Sequence, residues 1–246
     1  MRYTRYPTRR SAFYGYFPTG IKWLLLSNTA IFILTSLMPA YAYQHVRVLF
    51  AITPEAVLRN FFIWQPVTYM FLHGGIWHLI FNMLTLWMFG MQLETDWGTR
   101  QFLKYYFICG IGAGICIVLV NALVGDRFTP TLGASGAIMG LLLAFGVLYP
   151  NQRVLMNFLF PIKAKYLVMI YAAVELWSTF GPNTGVSSIA HLGGMVVGYV
   201  YLKASWPTLR FPDVRTAYQQ WKLQRAKRKF QVYLRKHGRG GGPWVN

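Results

Sequence analysis

Acidic residues are scarce in this chain. Six Asp and Glu stand against 24 Lys and Arg, and charged residues of both signs make up only 12% of 246 residues. With 55% hydrophobic and 17% aromatic residues, the chain is too apolar for an ordinary soluble domain, which carries about a quarter charged residues. Cysteine is equally rare. Cys109 and Cys116 are the only two and lie in one apolar block, where a single helix cannot join them by a disulfide. They read as core fillers without redox or metal roles, and they leave the redox compartment open. No His-Glu-x-x-His pattern occurs and no carboxylate shares the spacing of the histidines, so no metal and no cofactor is expected. An inverted repeat of the kind that builds transporters is missing, and so is a cleavable signal peptide.

The apolar residues come in six blocks, at residues 22–40, 76–92, 102–124, 135–150, 165–181 and 188–204. Blocks of this length predict membrane spans, and the glycines and polar residues within them predict helices facing protein as well as lipid. The expected fold is therefore an all-α polytopic membrane protein, a six-helix bundle. The net charge of +18 resembles a nucleic-acid footprint until its distribution is read. With six spans and the N-terminus inside, 21 of the 24 Lys and Arg fall on inside segments, and only Arg47, Arg59 and Arg127 fall outside. The positive-inside rule accounts for this asymmetry, so no nucleic-acid partner is expected and both termini are placed in the cytoplasm.

Residues 1–21 read as a basic cytosolic arm, with a superficial likeness to an organelle transit peptide. Residues 41–75 form a long outside connection rich in apolar residues, Phe61, Phe62, Ile63 and Trp64 among them, and are expected to lie partly in the membrane interface. Residues 205–246 are a basic tail. Lys222, Arg225, Lys227, Arg228, Lys229, Arg235 and Lys236 interleave there with Trp221, Leu223, Phe230, Val232 and Leu234. A helix on anionic membrane lipids and a solvated tail both fit this pattern, and Gly238 to Gly242 would end any helix.

Polar groups inside spans are costly and mark function. Here they are His73, His78, Asn82, Asn121, Ser135, Glu175 and His191. Topology places His73, His78 and Asn82 in or near the outer third of the second block. It places Ser135 at the outer end of the fourth and His191 about one turn into the sixth. Three helices thus bring polar residues to one depth. Ser135 stands in Gly133-Ala134-Ser135-Gly136, where small neighbours let a substrate carbonyl approach and helix N-terminal amides receive an oxyanion. A serine with a distant histidine is the minimal nucleophile and base pair. His78 and Asn82, four apart, share a helix face and both carry N–H donors. Gly194-x-x-x-Gly198 supplies a close-packing face that could press the sixth helix on the fourth. Singly, each residue also has a plainer explanation: a solvated interface histidine, an interhelical Asn, a packing serine.

Taken together these residues resemble the rhomboid intramembrane serine proteases over residues 55–204. The likeness rests on Gly-Ala-Ser-Gly at 133–136 and on Ala190-His191-Leu192-Gly193-Gly194 with Gly198. It rests also on the ordered His73, His78 and Asn82, on Glu94 with Gly98, and on Trp64. The resemblance implies a Ser135–His191 dyad without an acid partner, and an oxyanion site made by the Ser135 amide, His78 and Asn82. Gly133 would keep the carbonyl approach open, with Gly136, His73, Gly194 and Gly198 as structural neighbours. Losing one oxyanion donor typically costs about 3 kcal/mol, on the order of 100-fold in rate. The implied substrates are single-span membrane proteins, cut near the outer end of the span, with membrane lipids as further partners. The fifth helix is implied to move aside for them. A bacterial plasma membrane suits a chain of this domain content, and oligomeric state is not legible.

Two departures stand out. Met139 occupies a position where many members carry tyrosine beside the catalytic histidine. Gln65 follows Trp64 where many have arginine, an exchange expected to weaken the anchoring of the first loop. Glu175 is unusual in the fifth span. It reads either as a carboxyl hydrogen-bonded within the bundle or as a group lining the water route or gating substrate, and not as a third catalytic member. A rhomboid-like protein that binds clients without cutting, and a transporter or channel, are the competing classes.

Overall fold

The computed structural model describes residues 17–156, 160–180, 185–205, 222–223, 225–227 and 229–233. The first of two compact units ends at Ala204 and is mostly helical. Its helices are α1 (Thr19–Ser36), α2 (Ala40–Phe50), α3 (Pro54–Leu58), α4 (Gln65–Thr68), α5 (Ile76–Trp97), α6 (Thr99–Val124), α7 (Ser135–Leu148), α8 (Ala164–Ser178) and α9 (Gly185–Ser205), the last running one residue past the unit boundary. A 3-10 turn, Tyr69–Phe71, precedes α5. Six of these helices, α1 and α5 to α9, coincide with the six apolar blocks.

Local sequence explains several helix ends. Pro18 and Pro39 directly precede α1 and α2, where a missing N–H and a fixed φ cost nothing. Thr53 caps α3 by accepting from the Ala56 amide at 3.3 Å, with Pro54 in the first turn. By length and composition α5 and α6 are each able to cross a membrane. Polarity is distributed as in a lipid-facing protein. Trp23 and Leu34 on α1, Trp77 and Phe81 on α5, and Met169 and Trp177 on α8 are exposed, whereas Asn28, Gln65, Asn82, Glu94, Asn121 and Ser188 are buried. A soluble protein does not present large apolar side chains outward on this scale while burying amides and carboxylates.

α6 is the central helix, packing against α1, α3, α4, α5 and α7. It buries Phe102, Tyr105, Tyr106, Cys109, Ala113 and Ile117. Tyr105 donates to the Gly140 carbonyl at 2.9 Å, and Tyr69 donates to the Gly110 carbonyl at 2.7 Å. Both cysteines are free, and Cys109 packs where a Cβ on Gly140 would stand. Glu94 near the end of α5 accepts from the Gly20 and Ile21 amides at 2.7 and 2.8 Å, and from the Thr99 hydroxyl at 2.6 Å. One carboxylate thereby ties the start of α1 to the α5–α6 turn and satisfies helix N-terminal donors.

Three expectations need correction. The bundle is not purely helical. Arg153–Met156 (β1) and Phe160–Lys163 (β2) pair antiparallel, Arg153 opposite Lys163. Each strand is only four residues, too short for a period-2 pattern to stand out. The 41–75 connection is not a plain loop but α2, α3, α4 and the 3-10 turn in succession. Within it Gln65 anchors rather than loosens. It is wholly buried, its Nε2 donates to the Val48 carbonyl at 2.9 Å, and its Oε1 accepts from the Thr53 amide at 3.2 Å. Trp64 Nε1 adds a bond to the Leu49 carbonyl at 2.8 Å.

In the second unit, Ser205–Asn246, the described residues are helical, and Leu223, Phe230, Val232 and Tyr233 are exposed. The tail's Trp221, Arg228, Leu234, Arg235 and Lys236, its closing glycines, and residues 1–16 of the N-terminal arm lie outside the described residues.

Candidate active site

The segment before α7 is fixed from two sides. Ile52 and Thr131 exchange backbone hydrogen bonds at 3.0 and 2.9 Å, and the Gly133 amide donates to the Tyr69 carbonyl at 2.9 Å. Gly133 has φ +126°, a backbone state that side-chain-bearing residues rarely adopt. A Cβ there would stand 2.8 Å from His78 Cε1 and 3.8 Å from Ser135 Oγ. The glycine therefore lets the His78 ring lie on the backbone beside the serine. Ser135 opens α7, and its amide belongs to the first turn, where helix N–H groups lack intrahelical acceptors.

His191 comes from α9 and meets Ser135 across 56 residues of sequence. Its Nε2 is 2.7 Å from Ser135 Oγ. The helix begins at Gly185, so His191 lies nearly two turns in rather than one. Gly194 and Gly198 face α7. A Cβ on Gly194 would overlap the Gly136 carbonyl, and one on Gly198 would stand 3.3 Å from Gly140 Cα. Gly136 in turn sits against Ala113 of α6 and the Ala190 carbonyl of α9. Close glycine contacts of this kind set helix separation in membranes.

His73 is buried just before α5 and meets the His78 ring edge-on, centroids 5.1 Å apart. Asn82 is buried one turn beyond His78, and its Nδ2 donates to the His78 carbonyl at 2.9 Å. Its second amide proton is the one left for another acceptor. Met139 is half-buried one turn after Ser135 on the same helix. Among the described residues, no three His, Cys, Asp or Glu side chains group as a metal site.

Glu175 is the group whose place the sequence did not reveal. Its Oε1 lies 2.8 Å from His191 Nδ1, on the ring edge opposite Ser135, with side-chain exposures of 14% and 18%. Ser188, buried one turn before His191 on the same helix, is a polar neighbour of the carboxylate. The ring N–H is not well aligned on Oε1, so Nδ1 lacks a hydrogen bond of good angle despite the short separation. At 2.8 Å and largely out of water, the carboxylate and the ring nitrogen are in close polar contact, which becomes a charge pair only when the imidazole is protonated. The carboxylate thus turns to the imidazole, and of the two roles read from sequence, bonding within the bundle is the one the geometry displays. Only the depth of Glu175 hinted at this. Which residue it meets depends on the rotation of α8, which no spacing in the chain encodes.

Residues 60–207 match the family model described as Rhomboid domain. The chain is 36% identical to Rhomboid protein 1, mitochondrial, of Saccharomyces cerevisiae over 135 residues, covering 53% of this chain and 38% of the yeast protein. It is 32% identical to RHOMBOID-like protein 5 of Arabidopsis thaliana over 137 residues, 55% of this chain and 42% of that one. It is 26% identical to RHOMBOID-like protein 12, mitochondrial, of the same plant over 157 residues, 58% and 46% respectively. The matched part spans less than half the length of each of these relatives. They are eukaryotic, two of them mitochondrial by name, and lend no support to a bacterial plasma membrane. The chain belongs to the rhomboid family and is a membrane protein.

Proposed function

We propose that this rhomboid-family chain is an intramembrane serine endopeptidase that cleaves single-span membrane proteins near the outer end of the spanning helix. The observation that carries the reading is the 2.7 Å approach of His191 Nε2 to Ser135 Oγ, a nucleophile within reach of its base.

In acylation, Ser135 Oγ bonds to the scissile carbonyl carbon while its proton passes to His191 Nε2. The carbonyl electrons become an oxyanion facing the Ser135 amide, His78 and the free proton of Asn82 Nδ2. Collapse breaks the C–N bond, and His191 protonates the leaving amine. Water then attacks the acyl-enzyme by the same route and frees Ser135. This chemistry uses no metal and no cofactor.

We also propose that α1 and α5 to α9 are six spans with both basic termini on one side. Helix length then matters to the reaction. α7 has 14 residues, about 21 Å at 1.5 Å per residue, less than the ~30 Å of hydrocarbon. If the shortfall lies at its N-terminal end, α7 starts below the membrane surface and Ser135 sits at the floor of a depression open to water. A substrate helix must unravel to reach it, and helix-poor residues lower that cost.

The test is cleavage of single-span reporter proteins with helix-poor residues near the outer end of the span, co-reconstituted with the full chain in lipid vesicles. Cleavage by wild type and none by Ser135→Ala is the expected result. Reporters that co-purify with the wild-type chain but remain intact would favour a protein that binds clients without cutting.

A further inference from the structure

The Ser135–His191 chemistry makes no use of Glu175, the one acid on α8. We infer that Glu175 is a positioning residue for His191, so that Ser135, His191 and Glu175 act as a three-membered relay drawn from α7, α9 and α8. The inference rests on the protease reading and specifies how its base is held.

The geometry is ordered like a relay. Ser135 lies 2.7 Å from Nε2 and Glu175 lies 2.8 Å from Nδ1, on opposite edges of one imidazole. A general base needs its lone pair on Nε2, so the ring proton must sit on Nδ1. A carboxylate at Nδ1 favours that tautomer and stabilises the imidazolium formed when Oγ gives up its proton. Both side chains are more than four-fifths buried, so the pair escapes most of the screening that makes surface ion pairs weak. The imperfect N–H angle fits a resting site, since catalytic hydrogen bonds often tighten only when substrate is bound. Through the cycle the Oγ proton moves to Nε2 and then to the leaving amine. Glu175 stays ionised, and the Nδ1 proton does not leave the ring.

A purely structural ion pair between α8 and α9 makes different predictions. The full chain in mild detergent is treated with a fluorophosphonate, and the labelling rate is separated into its binding and bond-forming parts. Glu175→Gln keeps size but removes the negative charge that stabilises the imidazolium, and its amide N–H, where it faces Nδ1, favours the wrong tautomer. The bond-forming rate is expected to fall on the order of 100-fold or more, toward the about 10⁴-fold seen when a triad acid becomes an amide, with probe binding and melting temperature unchanged. Glu175→Asp retains the charge and should recover at least about tenfold over Gln. A Glu175→Gln rate within about threefold of wild type overturns the relay while leaving the protease reading intact. Equal losses in Gln and Asp that track a lowered melting temperature also overturn it, in favour of a structural pair. A folded wild type that never labels overturns the protease reading itself, before any Glu175 variant is made.

Discussion

Gly194 on α9 rests on the backbone of Gly136 on α7, so closely that a Cβ at Gly194 would overlap the Gly136 carbonyl. His191 is three residues before Gly194 and Ser135 is next to Gly136, so this contact sets the distance between base and nucleophile. Gly194→Ala must push the helices apart. Overpacking of a tight site costs about 1–3 kcal/mol, and the serine's reactivity should fall by much more than that stability loss suggests. Thermal unfolding and fluorophosphonate labelling on the same samples check this, with Gly75→Ala as control, since nothing lies within 4 Å of a Cβ there. Normal labelling of Gly194→Ala would contradict it.

Gly133→Ala isolates a different cause. A side chain at φ +126° is strained, and its Cβ would stand 2.8 Å from His78 Cε1. The His78 ring must then leave the serine, and labelling should drop on the order of 100-fold, the usual loss for one oxyanion donor. His78→Ala should lose a similar amount. If His78→Ala labels and cleaves as wild type, the ring is not an oxyanion donor.

Glu94 is a matter of stability rather than chemistry. Its buried carboxylate satisfies two backbone amides and the Thr99 hydroxyl. Glu94→Ala leaves these donors unpaired, at roughly 1–3 kcal/mol for each buried group left unsatisfied. The melting temperature should fall clearly, while the Ser135–His191 geometry of the remaining folded protein, read by labelling per folded molecule, stays near wild type.

His73 gives a pH dependence. It lies just outside the α5 span, and burial, followed by the proximity of His78, lowers its pKa from 6.5 to about 4. The unfolded chain takes up this proton below pH 6.5 and the folded one only below about 4. Stability from this residue is therefore constant above pH 6.5 and is lost as pH falls from 6.5 toward 4. The melting temperature of wild type should drop more steeply across that window than that of His73→Gln. Parallel slopes would contradict this.

Much of this was legible because long apolar helices announce themselves. The six apolar blocks coincide with α1 and α5 to α9 within a few residues, and span order with charge distribution alone brings Ser135, His191 and His78 to one region. What could not be read depends on helix rotation and on short-range turns. Glu175 meets His191 because α8 is turned by contacts such as Val168 against Gly146 of α7, and no periodicity in the chain specifies that turn. Gln65 was judged by what it replaces, yet its amide finds the Val48 and Thr53 backbone groups that only the folded α2–α4 segment brings near. The hairpin at 153–163 is too short to leave a pattern.

The central claim is that His191 activates Ser135 as a nucleophile, and the most direct test identifies the atom that reacts. The full chain is treated with a fluorophosphonate, digested, and the modified residue located by mass spectrometry, beside Ser135→Ala and His191→Ala. The account predicts one adduct, on Ser135, abolished in both variants. An adduct on another residue, an unmodified but folded wild type, or undiminished labelling of Ser135 in His191→Ala would contradict it.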